Sequence, residues 1–146
     1  MCITMEIKYE IKDSAEYGKG IYATENVVAG ARVWTYKLNI NVFEYTERQL
    51  KSHLLNLPSL EEKQDFLNRS FGKGNIICLI TDDGQYMNHA DAPNCRTDLT
   101  TGDCYALRQI HAGEQLFENY QAFSHPPFLY GLLKIYRCEP TYYSLP

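Results

Sequence analysis

Residues 85–95 read QYMNHADAPNC, with two polar pairs, Asn88-His89 and Pro93-Asn94, set around small residues. Shortly before them, Asn75-Ile76-Ile77-Cys78-Leu79-Ile80 is a brief apolar run, the pattern of a buried strand over 75–80. A polar cluster with a proline after a strand is turn chemistry: Pro93 fixes φ, and Asn94 offers side-chain bonds to nearby backbone. Taken alone, Asn88-His89 is a turn pair. A zinc site needs three or four His, Cys or carboxylate ligands, and His111 and His125 stand in unrelated contexts, so no metal is expected. Serine hydrolysis needs a nucleophile turn, and no Gly-x-Ser-x-Gly occurs.

Upstream, Ile3, Met5, Ile7, Tyr9 and Ile11 alternate with mostly polar neighbours, so residues 3–12 read as a half-buried strand. The loop after it ends in Gly18-Lys19-Gly20, a Gly-x-Gly that permits a tight turn and close backbone approach. A third glycine and a following helix are missing, since Ile21-Tyr22-Ala23 reads as strand, which excludes a dinucleotide fingerprint. A further strand runs from Ala31 to about Leu38. Between about 44 and 70 the character changes. Thr46-Glu47-Arg48-Gln49 and Ser59-Leu60-Glu61-Glu62 each fit a capping box, and Pro58 separates them, so this stretch reads as a helical insert. Strands resume at 94–99 and 103–109 around a hairpin turn, Thr100-Thr101-Gly102. After Pro126-Pro127, Leu129, Leu132, Leu133 and Tyr136 share one face, so about 126–137 reads as helix. Two segments echo each other: Ala23-x-x-x-Val27-x-Ala29-Gly30-x-x-Val33 and Ala106-x-x-x-Ile110-x-Ala112-Gly113-x-x-Leu116. They read as one kind of β corner used twice, with no shared chemistry. The fold class is mainly β with short helices, and residues 1–146 read as a single domain.

The formal net charge of -4 argues against a nucleic-acid binder, which is usually basic. It suits a basic partner such as a Lys-rich peptide. The five cysteines, Cys2, Cys78, Cys95, Cys104 and Cys138, are odd in number and form no CxxC. With a start, Met1-Cys2-Ile3-Thr4-Met5-Glu6, that lacks an apolar secretion core, they favour free thiols and an intracellular setting, nuclear or cytoplasmic. No apolar run approaches a membrane span, so no membrane partner is expected.

Read in order, Gly18-Lys19-Gly20, the helical insert, Asn88-His89-x-x-x-Pro93-Asn94 and the segment ALRQIHAGEQLFENY over Ala106–Tyr120 resemble the SET-domain protein lysine methyltransferases. The resemblance covers roughly residues 5–122. It implies a β-clip fold of several small curled sheets. Near its end the chain threads a loop to form a pseudoknot, bringing Asn88-His89 beside the segment that ends at Tyr120. It implies S-adenosylmethionine on one face and, from the opposite face, a channel for a lysine of a protein substrate such as a histone tail. By the same resemblance Lys19, Gly20, Tyr22, Asn88, His89 and Phe128 bind the cofactor. Asn88 and the Lys19–Gly20 backbone take its amino-acid end, and the His89 backbone takes its adenine. Tyr86, Glu118 and Phe123 line the lysine channel, and Tyr120 is the catalytic tyrosine at its inner end. The implied reaction is an in-line attack of the lysine nitrogen on the activated methyl carbon. Alignment lowers such a barrier by on the order of 7–11 kcal/mol at best. The lysine, with an ordinary pKa of about 10.4, must also lose its proton, which an apolar channel beside a cationic sulfonium favours. Tyr120 is expected to orient the nitrogen and the methyl group and need not be the base.

Several positions depart from the family pattern. Ala90 stands where many relatives have serine, and Gln85 where many have arginine. Glu118 occupies a position, often Phe or Tyr, that tunes how many methyl groups are transferred. Facing the channel, its carboxylate would hold the lysine charged, aiding binding and hindering attack; pointing away, it leaves the channel to other residues. Asp91 replaces a zinc-ligating cysteine, and Cys138 lies alone near the end, so the zinc-binding tail of some relatives is not expected. A C-terminal segment with Phe123, Phe128 or Tyr130 would close the channel instead. A second reading is a catalytically weak or inactive SET-fold module that binds cofactor or a lysine-containing peptide. Glu118 favours it; Asn88, His89 and Tyr120 oppose it.

Overall fold

A computed structural model describes residues 3–138. In chain order the elements are β1 (Tyr9–Ser14), β2 (Gly18–Ala23), β3 (Arg32–Trp34), β4 (Val42–Tyr45), α1 (Glu47–Asn56), α2 (Leu60–Arg69), β5 (Ser70–Lys73), β6 (Ile76–Ile80), a 3-10 turn (Asp83–Tyr86), β7 (Asn88–His89), β8 (Cys95–Thr97), β9 (Cys104–Ala106), β10 (Phe117–Glu118), a second 3-10 turn (Tyr120–Ala122) and α3 (Pro127–Ile135). The strands form four small sheets, β1-β2, β10-β7, β3-β9-β8 and β4-β6-β5. This is the expected class, short strands with a few short helices. No helix among the described residues is long and apolar enough to cross a membrane.

The described residues cluster in two compact units. One holds those up to Lys37 together with Thr81–Tyr120; the other holds Leu38–Ile80 and those from Gln121 onward. In the second unit, Leu50 and Leu54 of α1, Phe66 and Leu67 of α2, Ile77 and Leu79 of β6 and Leu129, Leu132 and Leu133 of α3 form one apolar cluster. Both helices start where the capping pattern places them. Thr46 accepts from the Gln49 N–H at 3.2 Å while the Gln49 side chain accepts from the Thr46 N–H at 3.0 Å. Ser59 accepts from the Glu62 N–H at 3.1 Å. Strands β4 and β5 flank the helices and pair antiparallel with β6 on either side. The helical reading of about 44–70 runs over the end of β4, because four-residue strands carry too little periodicity to register.

In the first unit the expected strand over 3–12 is two pieces. Met5 bridges to Trp34, the chain bends at Ile7, and β1 starts at Tyr9. Period-two alternation survives the bend, so the sequence shows one run where the chain changes sheets. Gly18-Lys19-Gly20 lies within β2 rather than in the loop. Ser14 closes the turn before it, accepting from the Tyr17 N–H and donating to the Gly18 carbonyl, each at 3.0 Å.

The two echoing segments pair with each other, with two-fold reciprocity. Val27 N–H donates to Ile110 at 2.8 Å and Ile110 N–H to Val27 at 2.9 Å. Ala23 N–H donates to Glu114 and Ala106 N–H to Ala31, both at 2.9 Å. Gly113 N–H donates to Ala23 at 2.7 Å and Gly30 N–H to Ala106 at 2.8 Å. Each of these six backbone bonds has its counterpart when the segments are exchanged. Gly30 and Gly113 take φ of 84° and 94°, a conformation that side-chain-bearing residues rarely adopt, which is why each repeat keeps a glycine there.

Candidate functional site

The segment carrying Tyr86, Asn88 and His89 is anchored by Asp82, which caps the 3-10 turn. Its carboxylate accepts from Gly84 N–H at 2.9 Å, from Trp34 Nε1 at 3.1 Å and from the Thr4 hydroxyl. Gln85 donates its side-chain amide to the Asp82 carbonyl at 3.0 Å. Next to it, the Tyr9 hydroxyl donates to Asp83 at 2.6 Å. That bond, with burial and the nearby acidic charges, pushes the Tyr9 pKa up to about 12.

Beyond the turn, β7 runs parallel to β10, with Asn88 opposite Phe117 and His89 opposite Glu118. Ala90 N–H extends the pairing to the Glu118 carbonyl at 2.9 Å. Asn94, 3% exposed, fixes the far end. Its side-chain nitrogen donates to the Gln115 carbonyl and its side-chain oxygen accepts from Phe117 N–H, each at 2.8 Å. This is the side-chain-to-backbone tie expected of that residue.

At the near end, Asn88 Nδ2 lies 3.0 Å from the Lys19 carbonyl and 2.9 Å from Gln115 Oε1. Gln115 Nε2 in turn lies 2.9 Å from the Tyr22 hydroxyl. Gly20 sits beneath: a Cβ there would lie 2.3 Å from Gln115 Oε1 and 3.2 Å from Asn88 Nδ2, so a side chain would push Gln115 out of this position. Four of the sequence-derived cofactor residues, Lys19, Gly20, Tyr22 and Asn88, thus meet around one residue the sequence reading did not single out, Gln115. The Lys19 ammonium stands 5.4 Å from the centre of the Tyr86 ring.

His89 connects this corner to Tyr120. Its Nδ1 accepts from Tyr120 N–H at 3.0 Å, which puts the ring proton on Nε2, 3.0 Å from Asp91. The two rings lie 5.4 Å apart. The Tyr120 hydroxyl donates to the Met87 carbonyl.

Glu118 is buried. Its carboxyl accepts from the Thr97 hydroxyl and from Cys104 Sγ at 3.5 Å, on β8 and β9. Burial raises its pKa above the ordinary value, and the two hydrogen bonds oppose that only in part. The Cys104 thiol is likewise pushed well up, by its bond with Cys95, by burial and by Glu118. Cys78, Cys95, Cys104 and Cys138 form no disulfide. Among the described residues no group of three or more His, Cys, Asp or Glu could hold a metal ion.

Phe123 and Phe128 belong to the second unit. Phe123 packs against Phe71 with ring centres 5.1 Å apart, and Phe128 packs half-buried against the apolar cluster. Leu129, Leu132 and Leu133 are core.

The SET-domain family profile matches residues 18–121, well over half of the chain. Among solved structures, a Plasmodium falciparum protein described as a candidate histone methyltransferase superposes with a TM-score of 0.53 at 16% identity, over 77% of this chain and 92% of that one. At that identity the likeness speaks for the fold. No curated protein matches the sequence.

Proposed function

The chain belongs to the SET-domain family, and from that premise we propose that it transfers methyl groups from S-adenosylmethionine to the side-chain amine of a lysine in a protein substrate. The observation that carries this reading is the parallel pairing of Asn88-His89 with Phe117-Glu118, which ties the polar pair to Tyr120 through His89. In this reading that pairing is the pseudoknot crossing, α1 and α2 are the helical insert, and residues 1–146 are one domain.

When bound, S-adenosylmethionine supplies an electrophilic methyl group on a cationic sulfonium. The residues present suit such a group. Gly20 lacks a side chain, and Gln115 and Asn88 pack into the space a Cβ would take, which holds the Asn88 amide against the Lys19–Gly20 backbone. Asn88, 3.0 Å from the Lys19 carbonyl, adds a side-chain amide beside it for the amino-acid end. The His89 backbone takes the adenine, and Tyr22 completes the corner through Gln115. Tyr86 lines the lysine channel. Glu118, with its carboxyl engaged by Thr97 and Cys104, shapes the channel floor rather than pairing with the lysine charge. Phe123 in the channel and Phe128 over the cofactor are proposed on the resemblance alone. Tyr120 donates its hydroxyl proton to Met87, so its oxygen serves as an acceptor that orients the lysine nitrogen. A hydroxyl so committed positions an amine and does not need to remove its proton. The net charge of -4 suits a basic substrate such as a histone tail.

The test is methyl transfer. Labelled S-adenosylmethionine is incubated with the protein and either mixed histones or a lysate, beside Y120F. Label on lysine, reduced at least about tenfold in Y120F, is the expected outcome. No label despite measurable cofactor binding would replace the enzyme with the binding module.

A further inference from the structure

We propose that Gln115 is a positioning residue that locks the Asn88 side chain with its oxygen toward the ligand, so that this corner reads the α-ammonium of the bound amino-acid end. The inference rests on the proposed function for the identity of the ligand, and on the hydrogen-bond geometry for the lock.

The polarity follows from one carbonyl. The Lys19 main-chain oxygen can only accept, so the Asn88 atom 3.0 Å away is the nitrogen. That nitrogen carries two N–H groups and is no acceptor. Its second neighbour, the Gln115 side-chain atom at 2.9 Å, must therefore be oxygen. Gln115 then turns its nitrogen to Tyr22, whose hydroxyl accepts at 2.9 Å. An amide orientation is ordinarily an assignment; here the backbone fixes all three side chains in series. Both N–H groups of Asn88 are committed within the protein, which leaves its carbonyl oxygen as the group it can offer. An oxygen acceptor pairs with an ammonium and repels a carboxylate. The lock is held on every side. Gly20 leaves no slack, with a notional Cβ only 2.3 Å from Gln115 Oε1. Asn94 holds the Gln115 backbone at 2.8 Å.

Substituting leucine (Q115L) keeps the bulk and removes one of the two acceptors that hold the Asn88 nitrogen, leaving the Lys19 carbonyl alone to orient it. Substituting glutamate (Q115E) keeps an acceptor for Asn88, and the Tyr22 hydroxyl can turn to donate to it. Binding of S-adenosylhomocysteine and of its deaminated analogue is measured by calorimetry for the wild type and both variants. The exchange of the Asn88 side-chain amide protons is followed by NMR without ligand. Q115L should weaken S-adenosylhomocysteine about tenfold while leaving the deaminated analogue within about twofold, and Q115E should restore the amine-bearing ligand to within about threefold. Asn88 amide exchange should be slow in the wild type and Q115E and fast in Q115L. Equal losses for both ligands, or none, would overturn the ammonium assignment. Unchanged exchange in Q115L would overturn the lock. A wild type that binds neither ligand would sink the functional reading and the ammonium assignment with it, while the exchange data still decide the lock.

Discussion

Replacing Asn94 with aspartate changes one atom of a side chain that is 3% exposed, and it tests whether Asn94 holds the site together. The Asn94 nitrogen donates to the Gln115 carbonyl and its oxygen accepts from Phe117 N–H, both at 2.8 Å. In N94D the Phe117 bond survives, and an oxygen faces the Gln115 carbonyl in place of the nitrogen. The loss combines one hydrogen bond, about 1 kcal/mol, with a buried carbonyl left unsatisfied, about 1–3 kcal/mol. The charge of the new carboxylate adds to this until it takes up a proton. The total at neutral pH should be about 3–5 kcal/mol, a large share of the roughly 5–15 kcal/mol that stabilises a domain. Protonation restores a donor, since the neutral acid carries an O–H that can reach the same carbonyl. The introduced carboxyl therefore has a folded pKa above its unfolded value of about 3.9. The deficit is small below the unfolded pKa, grows as pH rises toward the folded one, and is constant above it. Urea unfolding of both proteins from about pH 4 to about pH 8 measures the difference directly. N94A serves as a control that loses both bonds without gaining a titrating group. An N94D deficit under about 1 kcal/mol at neutral pH, or one equal at both ends of the range, would refute the clamp.

Two further outcomes follow from buried polar groups in the same unit. Glu118 is raised by burial, so the native state keeps a proton that the unfolded chain loses above about 4.5, and the carboxyl's contribution to stability declines as pH rises toward the folded value. E118Q lacks this decline, so its stability relative to wild type should increase with pH across that window; parallel pH profiles would refute the burial. Removing the Asp82 carboxylate strips Trp34 Nε1 and Gly84 N–H of their acceptor, so D82A should lose about 2–4 kcal/mol. Trp34 is the one tryptophan in the chain, so its emission should shift as well, and unchanged emission with an unchanged melt would show that Asp82 is no anchor.

What the sequence made legible depended on length and local chemistry. β6 showed as a brief apolar run, α1 and α2 through side-chain oxygens that cap their first turns, and α3 through a leucine face. β7 and β10 are two residues each and carry no period, yet their pairing puts Asn88-His89 within reach of Tyr120. Motif order, not periodicity, pointed to that site. Asp82 and Gln115 escaped for a different reason. An Asp-Asp pair before a glycine, or a glutamine after a turn, looks the same in sequence whether it faces water or anchors a buried network. Only contacts between residues far apart in the chain, such as Gln115 with Tyr22 and Asp82 with Trp34, distinguish the two cases.

The echo between the two corners shows how such a site arises from ordinary β structure. Exchanging the segments maps Tyr22 onto Tyr105 and Gln115 onto Arg32, and both pairs are cross-strand neighbours. The backbone clasp is therefore the same on each side, and the side chains placed on it differ. In one copy Arg32 reaches Glu6 and, at 3.7 Å, Asp103, and it is spent on surface ion pairs. In the other, an uncharged glutamine occupies the equivalent position. Its amide can both donate and accept, so it passes the polarity of the Lys19 carbonyl from Asn88 to Tyr22. An arginine at Gln115 would present donors alone and would oppose the Asn88 nitrogen with a cation. The two copies share their backbone bonding. The chemistry lies at one of the positions where the two copies differ, Arg32 in one and Gln115 in the other.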